Sequence, residues 1–246
     1  MKYHLQFSAL LLCILNSPMA VNAHALWIDR SGNGNGPARN LILRFGEAEN
    51  ALIETSPGKL DNIKPPLAWR WLRQDQSEAI HAEKTADGYL LGQLGNSQQI
   101  TAEALEQDVM DLSKYHLGVV RPLFHARFVN WPITLVEEPV MALDILPVDQ
   151  AGTTFKVYLN QAPLAKAKVT VIAPNLWTQE HHTDEQGLIH IHAPWRGTYV
   201  LEITHMENEA GEWQDQPFAA KRHRTTLSFV MAKGLPAKPM PPDQAH

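Results

Sequence analysis

Thr154-Phe155-Lys156-Val157-Tyr158-Leu159-Asn160-Gln161-Ala162-Pro163 opens the most regular part of the chain. Aromatic and β-branched residues run through a short stretch that a turn-forming run then stops. Similar units return at 168–173, 188–192, 198–205 and 225–231, with a further turn at Asp184-Glu185-Gln186-Gly187. Short strands at this spacing predict a β-sandwich domain over residues 152–232. Pro147-Val148-Asp149-Gln150-Ala151-Gly152 reads as the boundary in front of it.

Residues 24–148 predict a second β domain. Leu41 to Gly46, Ala68 to Leu72, Leu123 to Val129 and Met141 to Leu146 are short apolar strands. Ile80 to Glu83 and Tyr89 to Leu94 flank Ala86-Asp87-Gly88, and Asp-Gly is a strong hairpin signal. Thr101 to Leu112 is the one helical candidate: Leu105, Val109 and Leu112 fall at i, i+4 and i+7, and Thr101 can cap them. His181-His182 and the acidic stretch Glu207 to Pro217 read as loops. Residues 233–246 form a Pro-rich, flexible tail. The fold class is therefore all-β, with two β-sandwich-like domains.

Composition narrows the chemistry. The 246 residues are 44% hydrophobic and 19% charged, which is globular. A single cysteine, Cys13, excludes an intramolecular disulfide, a Cys-based zinc site and thiol catalysis. With 21 basic and 26 acidic residues, the net charge of -5 argues against nucleic-acid binding. Residues 1–23 read as an export signal: Lys2, an apolar core at Leu10 to Leu15, Pro18, and the small-x-small site Val21-Asn22-Ala23. The apolar run is too short for a permanent span, and no later stretch resembles one. The expected location is the periplasm.

Histidine is over-represented, with 12 copies. Cleavage after Ala23 makes His24 the first residue, where the free α-amine and the ring Nδ1 chelate one metal ion. A third nitrogen completes a histidine brace. His205, which shares parity with Tyr199, Leu201 and Ile203, and His125, inside Phe124-His125-Ala126-Arg127-Phe128, are the candidates. Amine and imidazole suit nickel, cobalt, copper or zinc. His190 and His192 share one face of a strand and read as a solvated outer face, with a metal-binding pair as the alternative. H-E-x-x-H, G-x-S-x-G and P-loop motifs are absent. Asp29, Ser31, Asn33 and Gly34 imitate a calcium loop whose twelfth position is Asn40 instead of Glu.

His24-Ala25-Leu26-Trp27-Ile28, Phe45-Gly46-Glu47, Ser56-Pro57-Gly58-Lys59-Leu60-Asp61, Gln161-Ala162-Pro163-Leu164, Val169-Thr170-Val171, Pro194 to Tyr199 with His205, and Thr225 to Phe229 occur in that order. Together they resemble a bacterial family of periplasmic proteins associated with nickel and cobalt uptake, largely known as a domain of unknown function. The resemblance implies divalent-metal binding in support of a membrane importer, carried by His24 and His205. It also implies an immunoglobulin/transthyretin-like second domain. No catalytic base is needed, so the chain is expected to bind and not to catalyse. A copper carrier or polysaccharide monooxygenase built on the same brace is one alternative, and a purely structural sandwich protein is another.

Overall fold

The computed structural model describes residues 24–30, 40–73, 75–95, 99–130 and 138–238. The signal segment 1–23, most of the calcium-like stretch and the last part of the tail lie outside the described residues. In chain order the strands of the first half are β1 (Ala25–Arg30), β2 (Asn40–Glu47), β3 (Leu52–Ile53), β4 (Leu67–Arg73), β5 (Gln76–Ile80), β6 (Glu83–Thr85), β7 (Gly88–Gln93), β8 (Gln99–Ala104), β9 (Met110–Asp111) and β10 (Val119–Val129). Those of the second half begin with β11 (Leu143–Pro147), β12 (Thr154–Leu159), β13 (Ala162–Pro163), β14 (Lys168–Ile172), β15 (Thr178–His182) and β16 (Leu188–His190). They end with β17 (Trp195–Glu207), β18 (Gly211–Trp213), β19 (Gln216–Phe218), β20 (Ala220–Met231) and β21 (Leu235–Pro236).

The strands form three layers. A ten-stranded sheet in the order β15-β14-β17-β20-β10-β8-β4-β5, with β9 on β10 and β21 on β17, is the middle one. A sheet of β1-β2-β7-β6, with β3 on β2, lies on one side, and β11-β12-β13, with β16 on β12, lies on the other. Strand alternation sends successive side chains to opposite faces. On the central strands the even-numbered Ile100, Ala102, Phe124, Ala126 and Phe128 join Leu26, Leu43 and Leu91 in one core. The odd-numbered Val171, Leu201, Ile203, Leu227 and Phe229 join Ile145, Phe155 and Val157 in the other.

The two halves keep separate cores but share the central sheet. Strand β10 runs parallel to β20, from Val120 beside Ala220 to Val129 beside Phe229. The Pro147 to Gly152 break is the connection between β11 and β12, antiparallel neighbours within one layer. A parallel pairing needs a long connection, here most of the second half, so no short-range signal announces it.

Thr101 to Leu112 is not a helix. Its first residues belong to β8, which pairs with β10 on one side and β4 on the other. The period-two pattern of Ile100, Ala102 and Ala104, all buried, outweighs the helical spacing of Leu105, Val109 and Leu112. His181 and His182 lie on β15, an edge strand, and not in a loop. The acidic stretch after Glu207 contains the hairpin β18-β19, whose Trp213 ring receives the Arg121 guanidinium at 3.6 Å. The start of the tail is also tied down, because Leu235 N–H donates to Pro194 C=O at 2.9 Å.

One ion pair crosses the layers. Arg127 of β10 and Asp144 of β11 are both 0% exposed. Arg127 Nε donates to Asp144 Oδ1 at 2.9 Å, and its other nitrogens reach Asp144 Oδ2 and Gln99 Oε1. Asp144 also accepts from the N–H groups of Val140, Met141 and Ile145. Such a pair is weak as a net stabiliser but expensive to break, because the survivor is a buried lone charge. Asp144→Ala and Arg127→Met should each lose about 3–5 kcal/mol in urea unfolding. The double replacement Arg127→Met/Asp144→Leu should recover much of that loss. A single-variant loss below about 1 kcal/mol, the range of a surface pair, would contradict this account.

Candidate functional site

His24 begins the described chain, immediately before β1. The antiparallel register places Ala25 opposite Gly46, which brings His24 beside Glu47. Gly46 adopts φ +147°, and a Cβ there would lie 2.1 Å from Leu52 O, so glycine is what lets β3 close onto β2. That closure carries Glu54 back to His24. The N–H of Glu54 donates to Phe45 C=O at 2.8 Å. His24 Nε2 and Glu54 Oε1 form a short hydrogen bond, and Lys59 Nζ donates to the same oxygen at 2.9 Å. On the other edge of the ring, Nδ1 is 3.9 Å from Glu47 Oε1. The imidazole rests on Phe45, with ring centroids 5.1 Å apart.

Hydrogen bonds from His24 and Lys59 hold the Glu54 carboxyl below its ordinary pKa. An ionised Glu54 accepts only, so a neutral His24 carries its proton on Nε2 and keeps a lone pair on Nδ1. The ring also forms one wall of a pocket of about 630 Å³, together with Phe45, Ile63, Gln107, Phe124 and Arg222.

The other predicted ligands lie elsewhere. His125 and His205 are odd-numbered residues of the central sheet, whereas Phe124 and Arg222 at the His24 pocket are even-numbered. The sheet therefore separates His24 from both. Across the odd face runs a chain of four side chains from four neighbouring strands. Glu103 Oε1 is 2.7 Å from His125 Nδ1, His125 Nε2 is 3.2 Å from His223 Nδ1, and His223 Nε2 is 3.0 Å from Glu207 Oε2. His125 and His223 are each 1% exposed, with parallel rings. His205 sits opposite His223 in the β17–β20 register. The outer bonds take one proton from each neutral ring, which leaves the central N···N contact without one. A further proton taken up there would close the chain.

His24, His125 and His205 stand out in the sequence, whereas Glu47, Glu54, Glu103, Glu207, His223 and Arg222 become their surroundings only in the fold. The available signal was Lys221-Arg222-His223-Arg224 inside an otherwise apolar strand. Charged residues on both faces of a central strand need partners, and here the partners come from distant strands. His190 is exposed and bonds to Thr154 Oγ1 at 3.0 Å. Among the described residues, no group of three or more His, Cys, Asp and Glu side chains is arranged to hold a metal ion. No family model, curated protein or solved structure matches this chain.

Burial pushes His223 down from 6.5 to about 4, with the nearby His125 and His205 acting in the same direction and Glu207 opposing them. The unfolded ring binds a proton at pH values where the folded ring does not. Stability should therefore fall as pH drops below about 6.5, with about 3 kcal/mol lost by about pH 4. Urea unfolding across this range should show a shallower pH dependence for His223→Gln than for the native chain. Equal slopes would remove His223 as the source.

Proposed function

We propose that this chain binds a divalent transition metal, nickel or cobalt, outside the cytoplasm and supports its transport by an importer. The site is the amine and Nδ1 of His24 after cleavage behind Ala23. The observation that carries this reading is the bond between His24 Nε2 and Glu54. Metal-ligating histidines commonly donate their second ring N–H to a carboxylate, which fixes the tautomer and aims the other nitrogen at the ion. Glu54 does this for Nδ1, the nitrogen that a terminal amine can join in a chelate ring.

The third donor in this reading is Glu47. Two ligands of one ion, with bonds near 2.1 Å, lie about 3–4.2 Å apart, and 3.9 Å falls within that span. An oxygen donor beside two nitrogens suits nickel, cobalt or zinc better than a soft copper(I) site. A copper-brace monooxygenase needs a second imidazole here, and the groups beside His24 are carboxylates. The C-terminal half, read as an immunoglobulin/transthyretin-like sandwich, acts as the scaffold. Binding needs no catalytic group.

Calorimetric titration with nickel and cobalt tests the reading on protein that begins at His24. One extra glycine in front keeps the imidazole but displaces the amine, and most of the affinity should be lost. Glu54→Gln should weaken binding about 10–100-fold. Affinity should decline as pH falls through about 8, where a free α-amine takes up the proton that competes with the metal. Equal affinity with and without the extra glycine would overturn the proposal.

A further inference from the structure

Arg222 of β20 is 9% exposed, yet it makes no hydrogen bond or ion pair among the described residues. Its neighbour Arg224 takes the nearby carboxylate, with Nε donating to Glu202 Oε1 at 3.1 Å. Burial, with Arg224 beside it and Glu202 acting in the opposite direction, lowers the Arg222 pKa to about 10. A largely buried guanidinium with no carboxylate in direct contact is costly. This one lines the 630 Å³ pocket.

A second donor in the same wall is also unused. Gln107 is 5% exposed and accepts from the Lys64 N–H through Oε1 at 3.2 Å, which fixes the orientation of its amide. Its buried Nε2 has no acceptor. The other charged groups around the pocket are engaged or exposed. Lys59 and His24 are held by Glu54, Asp108 pairs with Lys64, and Asp111 accepts from the Ser113 N–H. Lys114 lies exposed over the Tyr115 ring. Phe45, Ile63 and Phe124 provide apolar wall between these groups.

We infer that the pocket binds a small organic monocarboxylate, with its carboxylate on Arg222 and its apolar body against Phe45 and Phe124. The guanidinium fork matches a carboxylate in two parallel hydrogen bonds, and the Gln107 amide adds a third donor. One buried unpaired cation calls for a single negative charge. The apolar wall calls for a hydrocarbon body, which inorganic phosphate lacks. The volume is that of an ordinary small-molecule site. This inference does not depend on a metal at His24.

The test uses chelator-treated protein, so that metal binding plays no part. Benzoate and hexanoate at millimolar concentration should raise Tm and bind saturably in calorimetry, while neutral benzamide should not. Arg222→Met should abolish benzoate binding and raise the ligand-free Tm, since an unpaired buried charge is removed. Arg222→Lys keeps the charge but not the fork, and should weaken benzoate about ten- to hundredfold. Gln107→Glu keeps the acceptor for Lys64 and puts a like charge in the wall where the carboxylate would bind, so it should weaken benzoate at least tenfold even if Arg222→Met does not fold. Benzamide or phosphate binding as tightly as benzoate would overturn the inference. So would unchanged affinity in Gln107→Glu, or the absence of binding by both acids.

Discussion

The buried pairing of Arg127 with Asp144 is the constraint around which the layers are organised. Each charge lies between the central sheet and the third sheet, where neither can reach water. A packing of β11 against β10 that parted them would leave each charge buried without the other. Gln99, reaching Arg127 from β8, and the three backbone N–H groups on Asp144 complete the arrangement. The pair therefore acts less as a source of stability than as a lock on which layer faces which.

With the layers locked, the central sheet divides the chemistry of the molecule. On its even face β1 is pinned, because Thr226 Oγ1 donates to Leu26 C=O at 2.7 Å. His24 is thereby placed beside Glu47, Glu54 and an apolar pocket. On the odd face the two buried histidines are closed between Glu103 and Glu207. The first group borders a pocket and has a free ring nitrogen. The second is satisfied at both ends and buried, which is the form of a structural network. The same amino-acid type thus has two different environments within one sheet.

Strand character could be read locally because alternation and turn chemistry are local properties. Thr154 to Leu159 is a strand with the bounds its residues predict, and the Asp-Gly signal marks the β6–β7 hairpin. Thr101 to Leu112 misled because three spaced apolar residues imitate a helix, while burial on both sides of β8 favours extended chain. His24 could be singled out only through its position behind the expected cleavage site. Its carboxylate neighbours could not, since Glu54 reaches it only through the close approach at Gly46.

What the sequence determined by itself is the all-β character and the absence of any intramolecular disulfide at Cys13. Each follows from residue type, spacing or count. Tertiary structure alone decided that β10 and β20 run side by side, that His125 meets His223 from 98 residues away, and that Arg222 is buried at the His24 pocket. Strand pairing depends on the summed burial of whole faces and on buried charges finding each other. No short window of sequence contains that information, so the groups that meet across the sheet become visible only once the sheet is built.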